Sequence, residues 1–133
     1  MSANEIILDD DSFLVSRTNA KGIIEFASND FCEIAGYDVN DLIGKPHNII
    51  RHPDMPRAAF KDLWDTIKRG EIWSGFVKNR AKNGKTYWVY ATVYPHADKD
   101  GDIGYISCRT KIASRDEINQ YDALYKKMRE KEL

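Results

Sequence analysis

Two alternating runs joined by an asparagine–glycine pair constrain this chain more than anything else in it. They are "WSGFVKNRA" (73–81) and "TYWVYATVYPHA" (86–97), separated by "KNGK". Period-two alternation is the pattern of strands whose two faces meet different surroundings. Asn83-Gly84 is the strongest short-range signal for a tight hairpin. A chain built around this hairpin folds as an antiparallel sheet. "GYISCRTKI" (104–112) adds a strand beyond the "DKDGD" reversal. Upstream, "FLVSRT" (13–18) and "IIEFAS" (23–28) read as two short strands joined by "NAKG", whose Asn19 and Gly22 suit a tight turn.

The segments between read as helices. "NDFCEIAG" is a short one that Asn29 or Ser28 can cap and Gly36 ends. "YDVNDLIGKP" is a second helical turn. Over 56–69, Pro56 suits the first helical position, and Phe60, Leu63, Trp64 and Ile67 recur at i, i+3, i+4, i+7. After the third long strand, Ser114 and Glu117 form a capping box that starts a last helix. The order predicts an α+β fold: a five-stranded antiparallel sheet with short helices on one face, enclosing a pocket suited to a cofactor. It divides into an N-terminal arm (1–12), a domain (13–113) and a C-terminal helix (114–133).

With 133 residues, 42% of them hydrophobic, the chain suffices for one domain with a genuine core. A net charge of −1 gives no global field for nucleic acid. No apolar run approaches the roughly 20 residues that span a bilayer. The acidic start "MSANEIILDDDSF" lacks the basic, then apolar, layout of a secretory signal. Cys32 and Cys108 have no tight spacing and predict free thiols in a reducing interior. A cytoplasmic location follows as the expectation.

Three features carry candidate chemistry. In "SGFVKNRA", Gly75, Val77 and Asn79 share one face, while Phe76, Lys78 and Arg80 share the other. The charges mark the second face as the wetter one and turn Asn79 inward. Its amide is either a core group bonded to a loop backbone or a donor–acceptor pair shown to a heterocycle. The loop "GKPHNIIRHPDMPRAAF" (44–60) carries Arg51 and His52, which are either a grip for a phosphate or ring or residues of a plain surface loop. Asp54, just ahead of the 56–69 helix, reads as that helix's N-cap. His47, His52 and Asp54 match no standard metal-ligand spacing, and no nucleophile–base motif is present. Finally, Phe76, Trp88, Tyr90 and Tyr94 form an outward aromatic patch, and Ile118, Tyr121, Tyr125 and Met128 form a stripe on the last helix. The patch is either a contact surface or an outer face covered by the N-terminal arm; as contact surfaces, the two predict partners: a second copy, giving a homodimer through the outer sheet face, or a receptor.

From Gly44 to Pro95 the pattern "RHPDMP…W.G.VKNR..NG..YWV" resembles the flavin-binding PAS domain of bacterial aerotaxis and energy-taxis receptors, the Aer type. The resemblance extends over essentially the whole chain. It implies a PAS fold, noncovalent FAD, no enzymatic activity, and a redox or oxygen signal passed to a chemotaxis receptor or its HAMP-type signalling region. Carried over by position, Arg51, His52 and Asp54 are tied to FAD binding. Asn29, Trp64 and Trp73 surround the cofactor, Asn79 meets the flavin ring, and His47 is a further candidate. The chain ends at Leu133 without a transmembrane or methyl-accepting segment, so a sensor module excised from, or working beside, a receptor is expected. Light-sensing PAS domains place a reactive cysteine in a Gly-x-Asn-Cys-Arg-Phe-Leu run; the corresponding "PHNIIRHPDM" has none. A haem-binding gas sensor and a ligand-free interaction module remain as alternative readings.

Overall fold

The computed structural model describes residues 4–132. In chain order these form β1 (Leu14–Asn19), β2 (Ile24–Ala27), α1 (Asn29–Ala35), α2 (Val39–Leu42), a 3-10 turn over His47–Ile50, α3 (Arg57–Lys68), β3 (Trp73–Arg80), β4 (Thr86–Ala97), β5 (Ile103–Thr110) and α4 (Arg115–Lys131). The five strands make one sheet in the order β2-β1-β5-β4-β3, and each neighbouring pair is antiparallel. The predicted α+β architecture is the one observed.

Local chemistry explains the boundaries. In the β1–β2 turn, Asn19 Oδ1 accepts from the N–H groups of Lys21 and Ile23 at 2.9 and 3.0 Å. Gly22 there takes φ +83°, where a side chain would also press on the Trp64 ring at 3.1 Å. Between β3 and β4, Ala81 N–H donates to Lys85 O (2.8 Å) and Gly84 sits at φ +87°, closing the Asn-Gly turn. Ser28, not Asn29, caps α1, and Gly36 ends it in the left-handed region. Ser114 Oγ accepts from Glu117 N–H at 3.2 Å and starts α4.

The sheet's inner face carries Leu14, Tyr87 and Val89, all fully buried, and packs with Phe31, Leu42 and Ile50 from α1, α2 and the 3-10 turn. On the same face Trp73 lies across Gly75, where a Cβ would meet the indole at 2.7 Å, and its Nε1 donates to Asp62 of α3.

The helices do not all lie on one face. α4 crosses the outer face: Tyr121 meets Phe76 at 4.3 Å between ring centroids, and Tyr125 stacks on Trp88. The Tyr125 hydroxyl donates to Phe76 O at 2.8 Å. The arm adds to the cover through Ile6 N–H to Thr86 O (2.7 Å) and an Arg115–Glu5 ion pair (2.7 Å). Phe76 and Trp88 of the aromatic patch and Tyr121 and Tyr125 of the α4 stripe, expected to meet partners, therefore cover each other. Tyr90 stays 40% exposed beside them. Lys78 is also corrected. It stands on the face expected to be wetter, yet is only 7% exposed because α4 lies over it.

Candidate functional site

Between the inner sheet face and the 3-10 turn and α3 lies a cavity of about 260 Å³. Val77 and Asn79 of β3, Ala91 and Val93 of β4, and Tyr105, Ser107 and Arg109 of β5 form its sheet wall. Phe60, Leu63, Trp64 and Ile67 are the α3 wall, the i, i+3, i+4, i+7 face that the sequence predicts. Ala91 leaves space against the sheet that a larger residue would fill. Exposed Lys21, Pro46 and Asn48 border the mouth.

The wall is one-sided in charge. Lys21, Arg51 and Arg109 border the cavity, and among the described residues no carboxylate does. Arg109 is 2% exposed. Its Nη2 donates to Ser16 Oγ (2.7 Å) and to His47 Nε2, and its guanidinium lies over the Phe31 ring, but Nη1 has no partner. Burial draws its pKa down to about 10, so it is still a cation at neutral pH. Desolvation, then the Arg109 charge, lower the His47 pKa to about 3. The imidazole is neutral and its Nε2 is committed to Ser16 and Arg109 (3.0 Å to Ser16). Arg51 stacks on Phe60 at 3.6 Å from the ring centroid and leaves Nε unpaired. Asn79 is 3% exposed with Nδ2 unpaired, beside the equally unpaired Tyr87 hydroxyl on the facing strand. Native interiors rarely leave such donors without acceptors, since each costs about 1–3 kcal/mol. Three of these four orphans, on Arg51, Asn79 and Arg109, border one cavity.

The sequence candidates divide accordingly. His47, Arg51, Trp64 and Asn79 border the cavity. Asn29 is an exposed first-turn residue of α1, and Trp73 packs between the sheet and Asp62; neither lines the cavity. His52 and Asp54 lie behind it. Asp54 does not cap α3 but accepts from Lys78 Nζ at 2.8 Å, and its own N–H donates to His52 Nδ1. The first amides of α3 are taken instead by Glu132, the C-cap of α4, whose carboxylate accepts from Arg57 N–H at 2.8 Å and Ala58 N–H at 2.9 Å. Sequence reasoning missed Lys21 at the mouth and, most consequentially, Arg109. Its signal was the alternation of β5, which turns Tyr105, Ser107 and Arg109 to the same side as Asn79.

The donor set fits an acceptor-rich, anionic, partly aromatic ligand. A flavin would meet this description: Asn79 and Arg109 could hold ring carbonyls and nitrogens, the aromatic wall a flat surface, and Arg51 and Lys21 phosphates. Iron ligation by His47 would cost it both present bonds, and His52 lies outside the cavity. Among the described residues no cluster of three His, Cys, Asp or Glu side chains is arranged for a metal ion, and no helix is long and apolar enough to cross a membrane.

Comparison with known proteins agrees with the fold. The chain is 48% identical over 119 residues to the aerotaxis receptor of Escherichia coli K12, a match covering 90% of this chain and 23% of the receptor. It is 26% identical over 92 residues to the nitrogen fixation regulatory protein of Klebsiella pneumoniae, covering 69% of this chain and 19% of the relative. The chain thus spans about a quarter or less of these relatives. Among solved structures, the light state of the photoreceptor Aureochrome1 LOV superposes with a TM-score of 0.69 at 23% identity, covering 84% of this chain and 87% of that one, a likeness of fold. The model of the PAS fold matches residues 24–110, the span from β2 through β5 that supplies most of the cavity wall. With that match, the sheet order and the enclosed cavity in agreement, the chain belongs to the PAS-fold family.

Proposed function

We propose that this domain binds FAD in the cavity and reports redox state or oxygen to a chemotaxis receptor's cytoplasmic signalling region. The carrying observation is the unpaired Arg109 Nη1 in a cavity that, among the described residues, collects cations and unsatisfied donors but no carboxylate. The identity to the Escherichia coli aerotaxis receptor supports the choice of signal and of partner.

When bound, the flavin supplies electron acceptance and donation. The chain's residues supply the rest. Asn79 offers a donor and an acceptor to the ring edge, and Trp64 and Phe60 wall its faces. Arg109 places a fixed positive charge beside it, which favours electron uptake there because added negative charge is stabilised strongly in a dry site. Ser16 and neutral His47 hold that guanidinium in place without cancelling its charge. A cavity of about 260 Å³ is near the lower end of ligand-pocket sizes. It suits the ring, with the phosphates and adenine left to Arg51 and Lys21 at the mouth. That division favours FAD over FMN, since two cations serve a diphosphate better than a single phosphate. Heat release of the cofactor from purified protein, followed by chromatography, tests this. FAD is the expected product; FMN, haem or no release would each defeat it.

A further inference from the structure

Asp54 belongs to the loop that brings Arg51 to the cavity, yet its carboxylate points away from it. On the outer face, Lys78 Nζ donates to Asp54 Oδ2 and to Asp122 Oδ1, both at 2.8 Å. One buried ammonium thus joins the cavity loop to the middle of α4. The backbone repeats the tie: Arg51 forms an antiparallel bridge with Asn79, and His52 N–H donates to Lys78 O at 3.4 Å. Pro53 and Pro56 restrict the loop between these points. The second tie is at the far end of α4. Pro56 begins α3 without a side-chain cap. Glu132 supplies one from 75 residues away, and Arg57 Nη2 donates back to Glu132 O at 2.8 Å. α4 never borders the cavity, yet it is bonded to the loop that carries Arg51 and to the helix that carries Phe60 and Trp64.

We propose that Asp122 and Glu132 are positioning residues of the cavity, so that docking of α4 on the outer sheet face and retention of FAD within stabilise each other. This rests on the flavin reading given above. With α4 docked, Lys78 is held between two carboxylates and the loop keeps Arg51 at the mouth. When α4 lifts, Asp54 shares Lys78 with no second carboxylate and α3 loses its cap, which frees both walls to shift. Coupling of this kind is reciprocal: whatever factor α4 contributes to FAD affinity, FAD returns to α4 docking.

The test uses the full chain and FAD itself. Hydrogen exchange of the amides from Ile118 to Met128 is measured with and without FAD, with β4 and β5 as internal reference. FAD dissociation is measured for wild type, Asp122→Asn, Asp122→Glu and Glu132→Gln. FAD is expected to slow α4 exchange about five-fold or more beyond any change in the sheet, the lower end of common coupling strengths. Asp122→Asn should speed FAD release by a similar factor, and Asp122→Glu, which keeps the charge, should stay near wild type. Glu132→Gln, at a helix end, gives the same reading should Asp122→Asn fold poorly. Bound FAD with unchanged α4 exchange, or release within two-fold of wild type in both charge-removing variants, overturns the proposal. A wild-type protein that takes up no FAD removes the flavin reading, and the coupling with it.

Discussion

Two buried cations, one on each face of the sheet, have opposite surroundings. Lys78 on the outer face is 7% exposed and holds two carboxylates at 2.8 Å. Arg109 on the inner face is 2% exposed and holds a hydroxyl, a neutral imidazole and an aromatic ring, but no anion. Burial alone would depress the Lys78 pKa, and bonds to Asp122 and Asp54 reverse that. The Arg109 pKa is simply depressed by burial. A buried charge without a counter-charge is a cost that folding alone does not explain. The outer cation closes a structure, while the inner one is open to a ligand.

Removing the closed cation should have the larger effect on folding. Lys78→Met leaves Asp54 and Asp122 facing each other without it. Both carboxyls are about a third exposed, so the loss falls below that of a fully buried pair, at about 2–3 kcal/mol. Urea denaturation measures it. A variant as stable as wild type would mean that the outer cluster is ornamental.

Acid should strike the two depressed histidines first, and His47 of the inner face hardest. The folded His47 pKa of about 3 lies below its ordinary 6.5, so the native state excludes a proton that the unfolded chain takes up. Its contribution is complete above pH 6.5 and is lost as pH falls from there toward 3. By about pH 5 the loss is about 2 kcal/mol. Asp54 and Asp122 are opposed by burial but held below the carboxylate range by Lys78, so they act in a more acidic window. Denaturation of the FAD-free protein against pH should show the early decline in wild type and a flatter profile in His47→Gln. Parallel profiles would put the imidazole outside the buried network.

Smaller changes refine the contrast. Asn79→Leu removes an unsatisfied buried amide and should gain about 1 kcal/mol in the FAD-free protein while lowering FAD affinity about tenfold. Equal affinity would rule out the ring contact. Tyr125→Phe removes one satisfied bond on the outer face and should cost about 0.5–1 kcal/mol with FAD affinity little changed. A loss well beyond that range would show that the hydroxyl organises more of the α4 contact than its single bond to Phe76.

What could be read from the sequence follows from how far apart the partners lie along it. The Asn83-Gly84 hairpin, the α3 stripe and the inward turn of Asn79 depend on residues a few positions apart, and all three appear in the fold. Arg109 was also legible, as a charge in the inward register of β5, but only once β5 is read for its faces as β3 and β4 are. Asp54 was misread because a carboxylate ahead of a helix is usually its cap. Here Lys78, 24 residues on, competes for it, and Glu132 takes the helix amides. The two apolar stripes of β3–β4 and α4 were visible separately. That they pair within one chain is a tertiary fact, and no local pattern states it.

The central claim is that Arg109 is kept buried without a counter-charge, its Nη1 unpaired, for a ligand. Arg109→Met tests it most directly through two quantities taken on one preparation: unfolding free energy without FAD and the FAD dissociation constant. The account predicts opposite movements, with stability unchanged or higher by up to about 2 kcal/mol and FAD binding at least about tenfold weaker. Lower stability combined with wild-type FAD binding would contradict it, and would make Arg109 a structural residue like Lys78.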